Sequence, residues 1–345
     1  MGVVRHQEVG VWDEAKGIPE EVRGRTFSLV GWGSRAQLLQ AQVDAKALSI
    51  PQMWLFGGSG KLPPIYQRFM GEGPEPQRIF RHGCPVGVVY HDEYADYCLL
   101  TGVLPSDIKA SREAQTTEVF ESIENVLADA GMTFGNVVRT WFYLDHILDW
   151  YDTFNRVRDA FFHSRKVYDG LVPASTGIGS ANLSGAAITS CVLAVKPKVQ
   201  GMVNVKALPS PLQCAALQYG SSFSRAVEID VPIGRTLLIS GTASIEPGGA
   251  TAHVGDVKRQ IQLTMDVVEA IIASRGMKWA NATRAVMYLK NADYLADWNV
   301  WLGSNGLKNI PVAMMEADVC RDDLLVEFEI DLVVGKLVSC GPPKH

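Results

Sequence analysis

No apolar run in this chain approaches the ~18 residues that a membrane-crossing helix requires, so no membrane partner is expected. There is no CxxC pair, no HExxH and no close Cys/His spacing; the six cysteines and seven histidines are scattered over 345 residues. A zinc site is not expected from such spacing, and the thiols read as reduced, apolar-facing groups. The glycine-rich stretch before Lys61 is not a phosphate loop: Leu55 stands where the first glycine is needed and Leu62 where Ser or Thr is needed. The first residues lack the basic-then-apolar layout of a signal peptide. His6 occupies the place where a Met-Gly lipidation signal wants Ser or Thr. A cytoplasmic location is the expectation. Basic charge is also short: the net charge of −5 argues against nucleic acid as a main partner and leaves a small anionic metabolite open.

The remaining composition, 47% hydrophobic and 20% charged, is that of a globular protein long enough for two domains. The strongest internal signal is a repeat. At a constant offset of 145, Gln115, Gly131, Met132, Asn136, Arg139, Tyr143 and Leu144 meet identical residues Gln260, Gly276, Met277, Asn281, Arg284, Tyr288 and Leu289. Apolar positions spaced by three and four predict a long helix in each copy, with Gly131 and Gly276 as left-handed stops. Strands are expected at Val137–Leu144 and Thr283–Leu289, and second helices at Trp150–Phe162 and Tyr294–Trp301. Leading strands at Tyr97–Gly102 and Thr236–Ile245 and closing strands at Ala187–Val195 and Leu324–Val334 complete the frame. Each copy is then a β-β-α-β-α-β unit, an α+β fold with one mixed sheet packed against two helices. The expected division is an N-terminal extension (1–94), a first domain (95–200) and a second (201–340). The extension is the least legible part, with one short helix expected behind Ser34.

The closing strand of the second copy carries acids. Alternation places Leu325, Glu327, Glu329 and Asp331 on one side and Val326, Phe328 and Ile330 on the other. Such an acidic face is either solvated or lines a polar cavity, and the pattern does not choose.

The duplicated frame resembles the RidA/YjgF family of small trimeric proteins, here as a fused tandem over residues 95–197 and 215–335. RidA-like deaminases carry a carboxylate-gripping arginine shortly after a proline. Here Pro173-Ala-Ser-Thr176 and Pro311-Val-Ala-Met314 supply none. A closer resemblance is to the chorismatase family, also built from two YjgF-like halves. Phe154-Asn-Arg-Val-Arg158 is similar to its F-x-x-G-R, with Val157 in place of glycine. Pro173-Ala-Ser-Thr-Gly-Ile-Gly179 resembles its P-A-x-T-G-I-G turn, and Ser222-Phe-Ser-Arg-Ala226 its F-x-R-A. Ser240-Gly-Thr-Ala-Ser-Ile245 followed by His253-Val-Gly-Asp256 resembles S-G-T-A-S-I then H-x-G-D. Ala317 to Glu327 resembles the segment D-I-[CA]-R-x-D-L-L-V-E.

That resemblance implies hydrolysis of the enolpyruvyl ether of chorismate, giving pyruvate plus a hydroxybenzoate or a dihydroxycyclohexadiene carboxylate. It implies Glu327 as the catalytic glutamate. It makes Gly241 and Cys320 the pair that tunes product choice, in the combination of the hydroxybenzoate-forming type. Arg158, Arg225 and Arg321 are the candidates for holding substrate carboxylates, with Gly177 and Gly179 giving backbone freedom beside a ligand or a turn. No cofactor is implied. Other readings stay open: Arg158 as a surface helix charge, Arg321 as a neutraliser of Asp318, Asp322 and Asp323, Cys320 as an inert thiol. Asp256 is expected to cap a helix and His253 to sit on a loop. A RidA-like deaminase or other hydrolase of a small anionic metabolite, and a silent ligand-binding protein, are the competing functions. Monomer and trimer are both compatible with a tandem.

Overall fold

The structure, a computed structural model, describes residues 5–11, 26–46, 48–71 and 74–335. In chain order the elements are β1 (Arg5–Val11), β2 (Thr26–Gly33), α1 (Arg35–Lys46), β3 (Gln52–Phe56), β4 (Ile65–Gly71), β5 (Gln77–Arg81), β6 (Cys84–His91) and β7 (Ala95–Val103). Then come α2 (Arg112–Asp129), β8 (Val137–Leu144), α3 (Tyr151–Ser164), β9 (Ala174–Gly179), β10 (Ala181–Asn182) and β11 (Ile188–Pro197). The last part holds β12 (Asn204–Leu208), β13 (Ala226–Val231), β14 (Gly234–Ala243), α4 (Val257–Ser274), β15 (Ala282–Leu289), α5 (Leu295–Ser304), β16 (Val312–Glu316) and β17 (Val326–Gly335).

Local signals set most boundaries. Ser34 and Gln37 cap α1 reciprocally, each accepting the other's backbone N–H. Ser111 caps α2 and Asp256 caps α4 through their side chains. Gly131 and Gly276 follow the long helices with φ of 66° and 64°, the left-handed conformation that a helix stop uses. His253 is on an exposed loop.

Two mixed sheets match the repeat, in the orders β5-β6-β7-β11-β8-β9 and β12-β13-β14-β17-β15-β16. Each contains a strand absent from the sequence reading. The Pro173–Gly179 segment, read as a turn, forms β9, parallel to β8; β16 pairs in the same way with β15. Both are short edge strands of mixed small and apolar residues, which carry little alternation to detect.

Counting these as the second and third sheets, the first in chain order is formed by the N-terminal residues, β1-β4-β2-β3, extended by β10. Its pairing repeats the pattern of the other two: one strand antiparallel to both neighbours, then a parallel pair joined by a helix (β2-α1-β3, as in β8-α3-β9). Upstream of residue 95, β6 pairs with β7 and β5 with β6, so both belong to the second sheet. The three sheets turn one face inward against each other. Val30 and Leu55 from the first, Trp141 and Leu193 from the second, and Leu238 and Tyr288 from the third share a single buried cluster. The outer faces of the second and third sheets are covered by their helices, around Phe120 and Phe154 in one and Met265 and Trp298 in the other. α1 packs on the first sheet around Leu38.

Candidate active site

β17 lies between β14 and β15 in the middle of its sheet, so its inward face meets other sheets and not water. The solvated alternative for the acids is therefore overturned: Glu327, Glu329 and Asp331 are all buried, while Val326, Phe328 and Ile330 pack beneath the helices. The strand alternation was legible; which face met solvent depended on strand order.

Glu329 is the anchored acid. It accepts from Arg139 (2.6 Å), Trp141 Nε1 (3.0 Å), Tyr288 Oη (3.1 Å), the Thr176 hydroxyl and Arg284. Arg284 also meets Asp331 at 3.3 Å. Both guanidinium groups stand over the Trp141 ring, at 4.7 and 5.4 Å, although the Nε of each has no hydrogen-bond partner among the described residues. The charge of Arg284 and then that of Arg139 outweigh burial and hold the Glu329 carboxyl below its ordinary range. Asp331 is pushed up by burial.

Glu327 is the opposite case. Among the described residues no donor hydrogen-bonds its carboxyl. Burial first, then the charge of Glu329, push its pKa up to about 8, against the pull of Arg139 and Arg225. It faces a cavity of about 720 Å³ between the second and third sheets. Asp331 is not among the groups that shift it, so the like-charge pressure comes from one neighbour and not two.

The sequence candidates converge on that cavity. Glu327, Cys320, Gly241, Gly177, Arg158, Arg225 and Arg321 all line it. Gly179 does not: its N–H donates to the Asp318 carbonyl (2.8 Å), and a Cβ there would meet Ile147 and Asp318, so it serves close packing beside the cavity. Arg158 is buried on α3, with Asn155 one turn back accepting from Nη2 (2.6 Å) and Phe154 beneath it at 5.0 Å. Val157, where the family has glycine, points into the helix-side core instead of the cavity. Arg225 is tethered by two bonds to the Cys214 carbonyl, at 3.0 and 2.9 Å. Arg321 donates to the Gly249 carbonyl (2.7 Å), while Asp322 pairs with Lys290 and Asp323 accepts from Thr251. Cys320 is half-buried, with its pKa raised by burial to about 12, so it presents a neutral thiol. Gly241 lacks a Cβ for a direct reason: one would lie 1.9 Å from Glu327 Oε1.

Sequence reasoning missed Arg139, Arg284, Thr176 and Trp141 around Glu329, and Tyr151 and Asn155, which line the cavity. The two arginines had a signal, being identical across the repeat on strands otherwise apolar; buried there, a charge needs a partner. The repeat also shows why one seam is polar. Thr189 and Cys191 stand opposite Tyr143 and Trp141 as Glu327 and Glu329 stand opposite Tyr288 and Val286. At these counterpart positions on β11, the Thr189 hydroxyl and the Cys191 thiol meet the Met53 sulfur of β3 across the sheets (3.7 and 3.9 Å).

The comparisons agree with this geometry. The family model described as Endoribonuclease L-PSP matches residues 93–189. A 3-hydroxybenzoate synthase of Streptomyces hygroscopicus is 28% identical over 280 residues, covering 72% of this chain and 77% of that protein. A chorismatase of the same organism is 28% identical over 216 residues, covering 56% of this chain and 60% of that protein. A chorismatase crystal structure superposes with a TM-score of 0.73 at 19% identity, covering 96% of this chain and 99% of that one, a likeness of fold. The first repeated module is thus similar to the Endoribonuclease L-PSP family, and the whole chain shares the fold of a chorismatase. Over more than half of its length the sequence is similar to the 3-hydroxybenzoate synthase and the chorismatase, and its fold is that of the chorismatase structure. Among the described residues, no helix is long and apolar enough to cross a membrane.

Proposed function

We propose that this protein cleaves the enolpyruvyl ether of chorismate, with Glu327 as general acid and the cavity arginines as carboxylate holders. The single observation carrying this reading is the buried Glu327 carboxyl, without a hydrogen-bond donor among the described residues, facing a cavity rimmed by Arg158, Arg225 and Arg321. Chorismate offers two carboxylates and one acid-labile enol ether. Guanidinium groups hold carboxylates and keep their charge. A carboxylic acid that keeps its proton near neutrality suits protonation of the enolpyruvyl methylene carbon. The oxocarbenium ion so formed is attacked at the ether carbon by an oxygen nucleophile. With water, the hemiketal collapses to pyruvate and the ring diol. With loss of the elements of water from the ring as well, the products are pyruvate and a hydroxybenzoate. Gly241 and Cys320 favour the second outcome by resemblance to the hydroxybenzoate-forming type. The raised pKa makes Cys320 a neutral thiol against the substrate, not a thiolate nucleophile.

A silent binding protein would be expected to tie its working acid to an arginine; here the tied acid is Glu329, and Glu327 is left to face the cavity. The domain division in this proposal is two full YjgF-like modules, with the N-terminal sheet as a reduced third member of the ring. Purified protein incubated with chorismate is expected to release pyruvate, and Glu327→Gln to lower kcat by about 10³-fold, within the range of general acid catalysis. A folded protein that leaves chorismate intact would remove the substrate assignment.

A further inference from the structure

We propose that Glu329 is the positioning residue of this site: locked as an anion by Arg139 and Arg284, it keeps the proton on Glu327 and sets the upper pH limit of the reaction. Its activity readout rests on the chorismate reading above; the titration that tests it does not.

The geometry is that of two acids in one buried space with unequal partners. Both lie on the inward face of β17, two residues apart. The Thr176 hydroxyl donates to Glu329 Oε2 (2.5 Å) and accepts from Arg139 (2.7 Å) and from the Gly241 N–H (3.0 Å). A Cβ on Gly241 would lie 3.2 Å from that hydroxyl oxygen and 1.9 Å from Glu327 Oε1. One hydroxyl and one α-carbon therefore separate the carboxyls. Two carboxyls this close, both buried, do not both stay ionised. The donors decide which one does. A carboxylate has about four lone-pair directions, and Arg139, Arg284, Thr176, Trp141 and Tyr288 fill those of Glu329. A proton on Glu329 would face donors on every side. Glu327 has none among the described residues, so the proton resides there. Glu329 does not line the cavity, so it acts through Glu327.

The other groups around Glu327 do not reverse this. Arg139 and Tyr143 on β8, and Arg284 and Tyr288 on β15, are gathered round Glu329; Asp331 on β17 lies on Arg284. Arg225, leading into β13, is committed to the Cys214 carbonyl, and Arg321 to the Gly249 carbonyl. Arg158 on α3 bonds Asn155, and Cys320 is neutral.

Carbon-13 NMR of protein labelled at glutamate carboxyls follows both acids directly, with the Glu327 signal assigned by its loss in Glu327→Gln. In the native protein Glu327 is expected to titrate near pH 8 and Glu329 to stay ionised from about pH 5 to 9. Glu329→Gln is expected to lower the Glu327 midpoint by at least about one pH unit, a tenfold loss of proton affinity. The alkaline limb of kcat should move with it while KM stays put. Glu329→Asp, which keeps the charge, should leave the midpoint within about half a unit. An unmoved midpoint in Glu329→Gln overturns the proposal. Should that variant not fold, the native titration decides: Glu329 remaining anionic while Glu327 protonates supports it, and Glu329 taking up the proton in that range overturns it. Loss of chorismate cleavage with the titration as expected would count against the proposed reaction and leave this inference standing.

Discussion

Gly241→Ala isolates the position of the Glu327 carboxyl from the stability of the fold. The added Cβ would sit 1.9 Å from Oε1 and 2.8 Å from Cδ of Glu327. Ordinary contact needs a separation near 3.4 Å, so the oxygen has to withdraw by about 1.5 Å. The strand backbone cannot supply that movement, because β17 is hydrogen-bonded on both edges. The side chain swings instead, and its tip is free of hydrogen bonds among the described residues. Gly241 is not among the positive-φ residues, so alanine brings no backbone penalty. The melting temperature should therefore change by no more than ~2 °C, equivalent to at most about 1.5 kcal/mol in a chain of this length. A misplacement of about 1 Å at the reacting group costs on the order of 10²-fold in rate. A coupled assay for pyruvate, run alongside thermal melts, is expected to show kcat down by about that factor with the fold intact. A variant with kcat within about threefold of the parent would refute this placement of the carboxyl, because a loss of only ~0.7 kcal/mol is too small for the displacement.

Glu327→Gln should stabilise the fold increasingly at alkaline pH. The folded carboxyl titrates at about 8 against 4.5 when exposed. The unfolded state therefore loses its proton first, and native stability falls as pH rises from about 4.5 to 8, by on the order of 4 kcal/mol; the amide, which does not titrate, escapes this loss. Denaturant melts at both ends of the window check it, and a constant difference between the proteins would count against a buried neutral acid. Arg158→Gln removes one charge-assisted contact of ~1.5–3 kcal/mol, so KM for chorismate should rise about 10- to 100-fold with little change in melting temperature. An unchanged KM would take Arg158 out of substrate binding. Arg139→Leu breaks a fully buried ion pair and should cost about 3–5 kcal/mol in urea unfolding; a cost under ~1 kcal/mol would mean that Arg284 alone satisfies Glu329.

Much of this protein was written locally. Helix periodicity, helix-stop glycines, caps and the 145-residue repeat are interactions between near neighbours, and the long helices and central strands fall within two or three residues of the expected bounds. The short edge strands β9 and β16 were not legible, because runs of small or uniformly apolar residues show no polar–apolar alternation. The alternation along β17 fixed which acids share a face, but their chemistry depended on the strand being central and facing two other sheets. That arrangement alone separates Glu329, surrounded by donors, from Glu327, left without any among the described residues. It also brings Arg139, from a different module, onto Glu329. The N-terminal residues show the same division: their helix was readable from a serine cap, whereas their sheet order exists only once distant strands pair. Sequence sets what each segment can form and which side chains travel together; burial, charge pairing and the resulting proton affinity arise between segments far apart in the chain, and only the packed structure decides them.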